Sequence, residues 1–262
     1  MRDVDGGPIA WRESGVGEAV VFLHGLGGSR TAWDAQLEGL SPEYRCVAWD
    51  APGYGASPPL PGAWAFPRLV EAVEGLLDTL GEPAAHVVGL SLGGMVAQHV
   101  AVAAPDRVRS LTLISSSPAF GLDGTTTAEA WRRARLEPLD AGREPADFAE
   151  QVIGAIAGPG IEPRAFAGQC AAMTRIPGAA LRQAIDCLVS HDARAMLPRV
   201  TARTLVLVGA LDEETPPSYA RTIAELVPGA RLVVVPGAGH LLPAEAPATV
   251  NAHLRAHFQE AR

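Results

Sequence analysis

The 262-residue chain contains no lysine: all 21 of its basic residues are arginine. Schiff-base catalysis, a Ser-Lys dyad, a pyridoxal site and a lysine-bearing phosphate loop are thereby excluded. Cysteine is scarce. Cys46, Cys170 and Cys187 are odd in number and lack Cys-x-x-Cys spacing, so neither a disulfide framework nor a zinc cluster is indicated, and a reducing compartment is expected. No apolar run approaches the ~20 residues of a membrane-spanning helix. The N-terminus, Met1 to Pro8, carries acids where a secretory signal would place basic residues and then an apolar core. The expectation is a cytoplasmic protein with no membrane partner. A net charge of −8 and a pI near 5.4 also argue against a phosphate-tracking surface, so nucleic acid is not an expected partner.

What the chain does have is alternation. Ala19 to Leu23, Val47 to Trp49, Ala85 to Val88, Val108 to Ile114, Thr204 to Val208 and Arg231 to Val235 read as strands, several of them continuous apolar runs. Helical spacing joins Trp33, Leu37 and Leu40, then Leu69, Val73, Leu76, Leu77 and Leu80 up to Gly81, then Val96, Val100 and Ala103. A helix is expected near Ser218 to Leu226, and a last one after Pro243. Between about Ser115 and Pro198 the pattern is helical without obvious strands, broken at Gly158-Pro159-Gly160 and Pro177-Gly178, which reads as a helical insertion. The fold class this implies is α/β, a doubly wound and mostly parallel sheet.

Gly89-Leu90-Ser91-Leu92-Gly93 sits where a strand passes into a helix. Glycines two positions either side of Ser91 remove the Cβ atoms that would clash as the chain doubles back, so the serine can project its Oγ from a strained turn. A serine hydroxyl needs a base, and the base needs an acid to fix its tautomer. His240, in Pro236-Gly237-Ala238-Gly239-His240 after one strand, is the candidate base. Asp212, in Gly209-Ala210-Leu211-Asp212-Glu213-Glu214 after another, is the candidate acid, with Glu213 and Glu214 read as solvated residues at a helix start. Asp123 is the alternative position for the acid. For the oxyanion, the backbone amides of Leu26 and Leu92 are the candidates. His24 and Gly25 support the Leu26 loop. A phosphate-loop reading of that loop fails because no Gly-Lys-Ser/Thr follows and the third glycine of a dinucleotide fingerprint would fall on Arg30.

Taken together, Gly89 to Gly93, His24-Gly25, the Asp50-Ala51-Pro52-Gly53-Tyr54-Gly55-Ala56-Ser57 turn and Gly239-His240 resemble the α/β-hydrolase superfamily, and within it small bacterial serine esterases and 3-oxoadipate enol-lactonases. The resemblance implies a core of residues 1–117 and 199–262, and a helical cap of residues 118–198 inserted after the sixth strand as a substrate lid. It further implies a cofactor-independent, metal-free hydrolase of a small carboxylic ester or lactone. Pro52 stands where many enol-lactonases carry arginine. A carbon–carbon bond hydrolase of the meta-cleavage type and a perhydrolase would use the same triad, and a ligand receptor on this fold would bind with little turnover. In the cap, Trp131, Arg132, Arg133 and Arg135 are candidate substrate contacts, and the arginines could clamp a carboxylate. An apolar lining from Met173, Ile176, Leu181, Ile185 and Leu188 would instead favour neutral substrates. His253 and His257, four apart, have metal-ligand spacing but read as a solvated terminal helix.

Overall fold

The computed structural model describes residues 1–122 and 124–261. The strands are β1 (Arg2–Val4), β2 (Trp11–Ser14), β3 (Ala19–Leu23), β4 (Arg45–Trp49), β5 (Ala85–Leu90), β6 (Val108–Ile114), β7 (Arg203–Gly209) and β8 (Arg231–Val235). Among the described residues these eight form one sheet in the order β1-β2-β4-β3-β5-β6-β7-β8. Pairing is parallel from β4 to β8, and β1 and β2 add antiparallel strands at one edge. Sequence reading missed β1 and β2 for a physical reason. Arg-Asp-Val and Trp-Arg-Glu-Ser are short and partly exposed, without apolar alternation, which is how edge strands are written.

Helices α1 (Asp34–Leu40), α2 (Phe66–Leu80), α3 (Leu92–Ala103), α8 (Pro217–Leu226), α9 (Leu242–Glu245) and α10 (Pro247–Gln259) belong to the sheet, with α4 (Ala128–Asp140), α5 (Ala149–Ile156), α6 (Pro163–Thr174) and α7 (Gly178–Leu188) lying between β6 and β7. All five residues of β3 are buried because both sheet faces are covered. Val21 and Leu23 pack in a core with Leu69 and Val73 of α2 and Val96 and Val100 of α3. Val20 and Phe22 pack on the other face with Leu37 and Leu40 of α1 and Leu254 and Phe258 of α10. Cys46, in β4, is buried in that second core, and burial pushes its thiol up to about 12, so it behaves as a small apolar residue.

His257 corrects an expectation. It is buried, its Nε2–H donates to Leu111 O at 3.1 Å, and burial lowers its pKa to about 4. The surface reading holds for neither packing nor charge there, because Val250, Leu254 and His257 share the face of α10 that meets the sheet.

The chain leaves for α4 to α7 and returns through a narrow neck. Ala119 pairs with Asp192 in an antiparallel bridge, Phe120 N–H donates to His191 O at 2.9 Å, and Ala193 N–H donates to Pro118 O at 2.8 Å. His191 itself donates from Nε2 to Ser117 O at 3.0 Å and accepts at Nδ1 from His99 of α3 at 3.3 Å. Burial holds both imidazoles near a pKa of about 4, so these two rings stay neutral at neutral pH. Among the described residues no helix is long and apolar enough to cross a membrane.

Candidate active site

The turn from β5 into α3 places Ser91 at φ 52°, ψ −118°, a left-handed region costly to any residue with a Cβ. The glycines around it are demanded by contact. A Cβ on Gly93 would lie 2.1 Å from Leu23 O, and one on Gly89 would lie 2.3 Å from Gly93 O. The elbow is tied to β6 on its far side: Ser91 N–H donates to Ile114 O at 2.9 Å, and Ser116 Oγ–H donates to Ser91 O at 2.9 Å. Ser115, just after β6, also takes a positive φ of 46°. Read as a sequence, Ser115-Ser116-Ser117 is only a short polar tract; in the structure Ser116 props the elbow and Ser117 O receives His191.

Asp212 follows β7 in a turn closed by Asp212 N–H to Gly209 O at 3.2 Å. Its Oδ1 accepts from the amides of Glu214 (3.1 Å) and Thr215 (2.9 Å), and its Oδ2 from the Thr215 hydroxyl at 3.0 Å. His240 Nδ1–H donates to the same carboxylate, 3.0 Å from Oδ1 and 3.1 Å from Oδ2. This pins the imidazole with Nε2 as its free acceptor. Burial alone would raise the Asp212 pKa, but the charge and hydrogen bond of His240 and the Thr215 amide hold it below the ordinary carboxylate value. Burial likewise opposes charge on His240, yet Asp212 foremost, with Glu214 and Glu245 behind it, raises its pKa above the ordinary value. Asp123 lies outside the described residues.

Glu245 went unnoticed in the sequence. Its Oε2 accepts from Gly239 N–H at 2.6 Å and its Oε1 from Leu241 N–H at 2.9 Å, so one carboxylate from α9 staples the peptides on both sides of His240. The His240 amide donates to Ile156 O, at the end of α5, at 3.2 Å.

His24 is a support. Its Nδ1–H donates to Gly25 O at 2.9 Å and its Nε2 accepts from Ala51 N–H at 3.0 Å, a pairing that requires a neutral ring, and burial lowers its pKa accordingly. The neighbouring Leu26-Gly27 turn is closed by Gly28 N–H to Gly25 O at 3.0 Å. Leu92 is the first residue of α3, where the amide has no intrahelical acceptor. Leu26, Ser91 and His240 line one cavity together.

That cavity, of about 80 Å³, is walled mainly by apolar side chains such as Phe148, Val152, Met173 and Leu181, with Arg135 and Glu214 as its charged exceptions. A second cavity of about 260 Å³ also reaches Ser91, with Ser117, Thr125, Thr126, Glu213, Thr215 and Tyr219 in its wall. Trp131 and Arg135 line both. Arg132 and Arg133 do not reach the site: α4 turns them outward, where Arg132 pairs with Asp186 at 2.5 Å and Arg133 is exposed. Glu214 also departs from expectation. Instead of standing in solvent at a helix start, it receives Arg135 Nη2 on both oxygens, at 2.8 and 3.0 Å. Among the described residues no cluster of three metal-ligating side chains occurs.

The sequence profile of the alpha/beta hydrolase fold matches residues 18–247. A pimeloyl-[acyl-carrier protein] methyl ester esterase from Chromobacterium violaceum is 36% identical over 235 residues, spanning 86% of this chain and 88% of that enzyme. Among solved structures, a hydrolase from Pseudomonas aeruginosa superposes with a TM-score of 0.86 at 30% identity, covering 98% of this chain and 97% of that one. The enol-lactonase from Burkholderia xenovorans LB400 gives a TM-score of 0.85 at 22% identity over 98% of this chain and all 100% of its own, a likeness of fold alone. With the elbow, the paired Asp212 and His240 and the eight-stranded sheet already in place, this extended match means that the chain belongs to the alpha/beta hydrolase fold family.

Proposed function

We propose that the protein is a cofactor-independent serine hydrolase that cleaves small, uncharged carboxylic esters or lactones through an acyl-enzyme on Ser91. The observation that carries the reading is the buried hydrogen bond from His240 to Asp212 beside the cavity that holds Ser91. Ser91 Oγ attacks the carbonyl carbon while His240 Nε2 takes its proton, and the amides of Leu26 and Leu92 receive the oxyanion. The C–O bond to the alcohol then breaks, and His240 returns the proton to the departing alkoxide. Water, deprotonated by His240, attacks the acyl-enzyme and releases the acid and Ser91. Asp212 stays ionised throughout, balancing the imidazolium. Residues 118–198 act as the cap, since its helices supply the apolar wall of the smaller chamber.

Steady-state assays with p-nitrophenyl acetate and a panel of neutral esters and lactones test this. Repeated turnover with an acyl-enzyme burst is the expected result. Stoichiometric binding with a rise in melting temperature and no turnover would instead mark a receptor.

Glu245 acts through His240 as a positioning residue. Glu245→Gln keeps one acceptor oxygen and loses the charge, so kcat/KM at its plateau should fall roughly tenfold or more, as misplaced groups do. Because the Glu245 charge raises the His240 pKa, and only neutral His240 can act as base, the acid limb of the pH profile should also move to lower pH. A fall in the plateau with an unmoved limb would reduce Glu245 to a purely structural role.

A further inference from the structure

Arg135 and Glu214 stand where the two chambers meet. Each lines both of them, together with Ser91 and Trp131. Arg135 projects from α4, while Glu214 belongs to the loop after β7 and sits two residues beyond Asp212, to which its amide donates. The guanidinium is fixed from two sides: its Cζ lies 5.0 Å from the centre of the Trp131 ring, and Nη2 is shared between the two Glu214 oxygens. Among the described residues Arg135 Nε and Nη1 have no hydrogen-bond partner, so donors remain for a substrate. What the pair lacks is net charge.

We propose that Glu214 masks Arg135, and that this pair sets the charge selectivity of the site, admitting an uncharged ester whose carbonyl or hydroxyl group in the larger chamber bonds Arg135, and rejecting a carboxylate at the same place. The inference rests on the hydrolase reading of Ser91 for its catalytic form. Two neighbouring observations agree with it. Beyond the pair, the larger chamber has the hydroxyls of Ser117, Thr125, Thr126 and Thr215 and the carboxylate of Glu213 in its wall and, among the described residues, no further cation, which suits a neutral polar group better than an anion. Arg132 and Arg133, which could otherwise have supplied uncompensated positive charge, face outward. A free arginine is a strong, directional carboxylate receptor. An arginine already holding a glutamate can offer only its remaining donors, and a second carboxylate there meets the first.

The consequence is that the two halves of the pair act in opposite directions. The test compares kcat/KM for monomethyl adipate, which bears a carboxylate, with that for dimethyl adipate, which is neutral and nearly the same shape. In Glu214→Gln the acid-to-neutral ratio should rise about tenfold or more, the size of one charge-assisted hydrogen bond gained. In Arg135→Met, which leaves Glu214 uncompensated, the ratio should fall below that of the wild type. The double variant Arg135→Met with Glu214→Gln should return near the wild-type ratio. Parallel losses on both esters, with the ratio within about twofold in every variant, would overturn the proposal and leave the pair as a structural contact between α4 and the loop. Calorimetric binding of monomethyl adipate to each variant in a Ser91→Ala background separates this failure from failure of the hydrolase reading. The same rank order of affinity supports charge selectivity even without turnover, and equal affinities refute it.

Discussion

Ser91→Ala should lose ester hydrolysis by at least about 10⁴-fold, with the fold intact. In the proposed mechanism the deleted atom is the attacking nucleophile, and alanine leaves the elbow's backbone bonds untouched: Ser91 N–H still reaches Ile114 O, and Ser116 Oγ–H still reaches the residue 91 carbonyl. The strain at φ 52° is carried by any residue with a Cβ, so the substitution neither adds nor relieves it. Melting temperatures of variant and wild type should therefore agree within about 1 °C, under the roughly 2–4 °C shift that a 1 kcal/mol change produces in a domain of this size. Kinetics on purified, folded protein check both halves, and near-wild-type turnover in Ser91→Ala would remove serine chemistry from the mechanism.

Asp212→Asn should cost a comparable amount, about 10⁴-fold in kcat, because the amide inverts the hydrogen-bond code. A carboxylate only accepts, so His240 must carry its proton on Nδ1 and leave Nε2 free. An asparagine NH₂ turned toward the ring forces the other tautomer, with the proton on Nε2 and no base facing Ser91. Glu213, exposed beside it, is the control: Glu213→Gln should leave kcat with a neutral ester largely unchanged, since His240 hydrogen-bonds Asp212 instead. Equal damage from both would mean that neither carboxylate has a specific role. The pairing also makes stability depend on pH. Asp212 is lowered and contributes fully above its ordinary pKa of about 3.9, fading as pH falls through its folded value. His240 is raised and contributes fully below its ordinary pKa of about 6.5, fading as pH climbs through its folded value. The shared window lies between those two ordinary values.

Most of the fold and of the side-chain pairings at the site was readable from residues alone, and the exceptions share a cause. Buried central strands announce themselves as apolar runs because both faces are covered; β1 and β2, at an edge, carry no such pattern. The elbow was readable because Gly89 and Gly93 are required by contacts within the turn and with β3. Which of three consecutive acids meets His240 depended on the tight turn at Gly209, a local feature. Direction around a helix was harder. Only Leu136 of α4 is buried, so the helix has no strong apolar stripe to reveal that Arg135 turns inward while Arg132 and Arg133 turn out. The spacing of Val250, Leu254 and His257 held the signal for the buried face of α10, but the His253-His257 interval drew attention to metal geometry instead. Glu245 and Ser116 act on backbone groups, and a side chain reaching a distant peptide leaves no periodic trace.

The most direct measurement is covalent labelling with a p-nitrophenyl phosphonate, followed by peptide mass spectrometry. An activated serine attacks phosphorus, expels p-nitrophenol and keeps the phosphonyl group, so loss of hydrolysis should track one adduct per chain, on Ser91, absent in Ser91→Ala and slow to form in Asp212→Asn. Inactivation with the adduct on any other residue, or continued hydrolysis with Ser91 fully labelled, would contradict the mechanism.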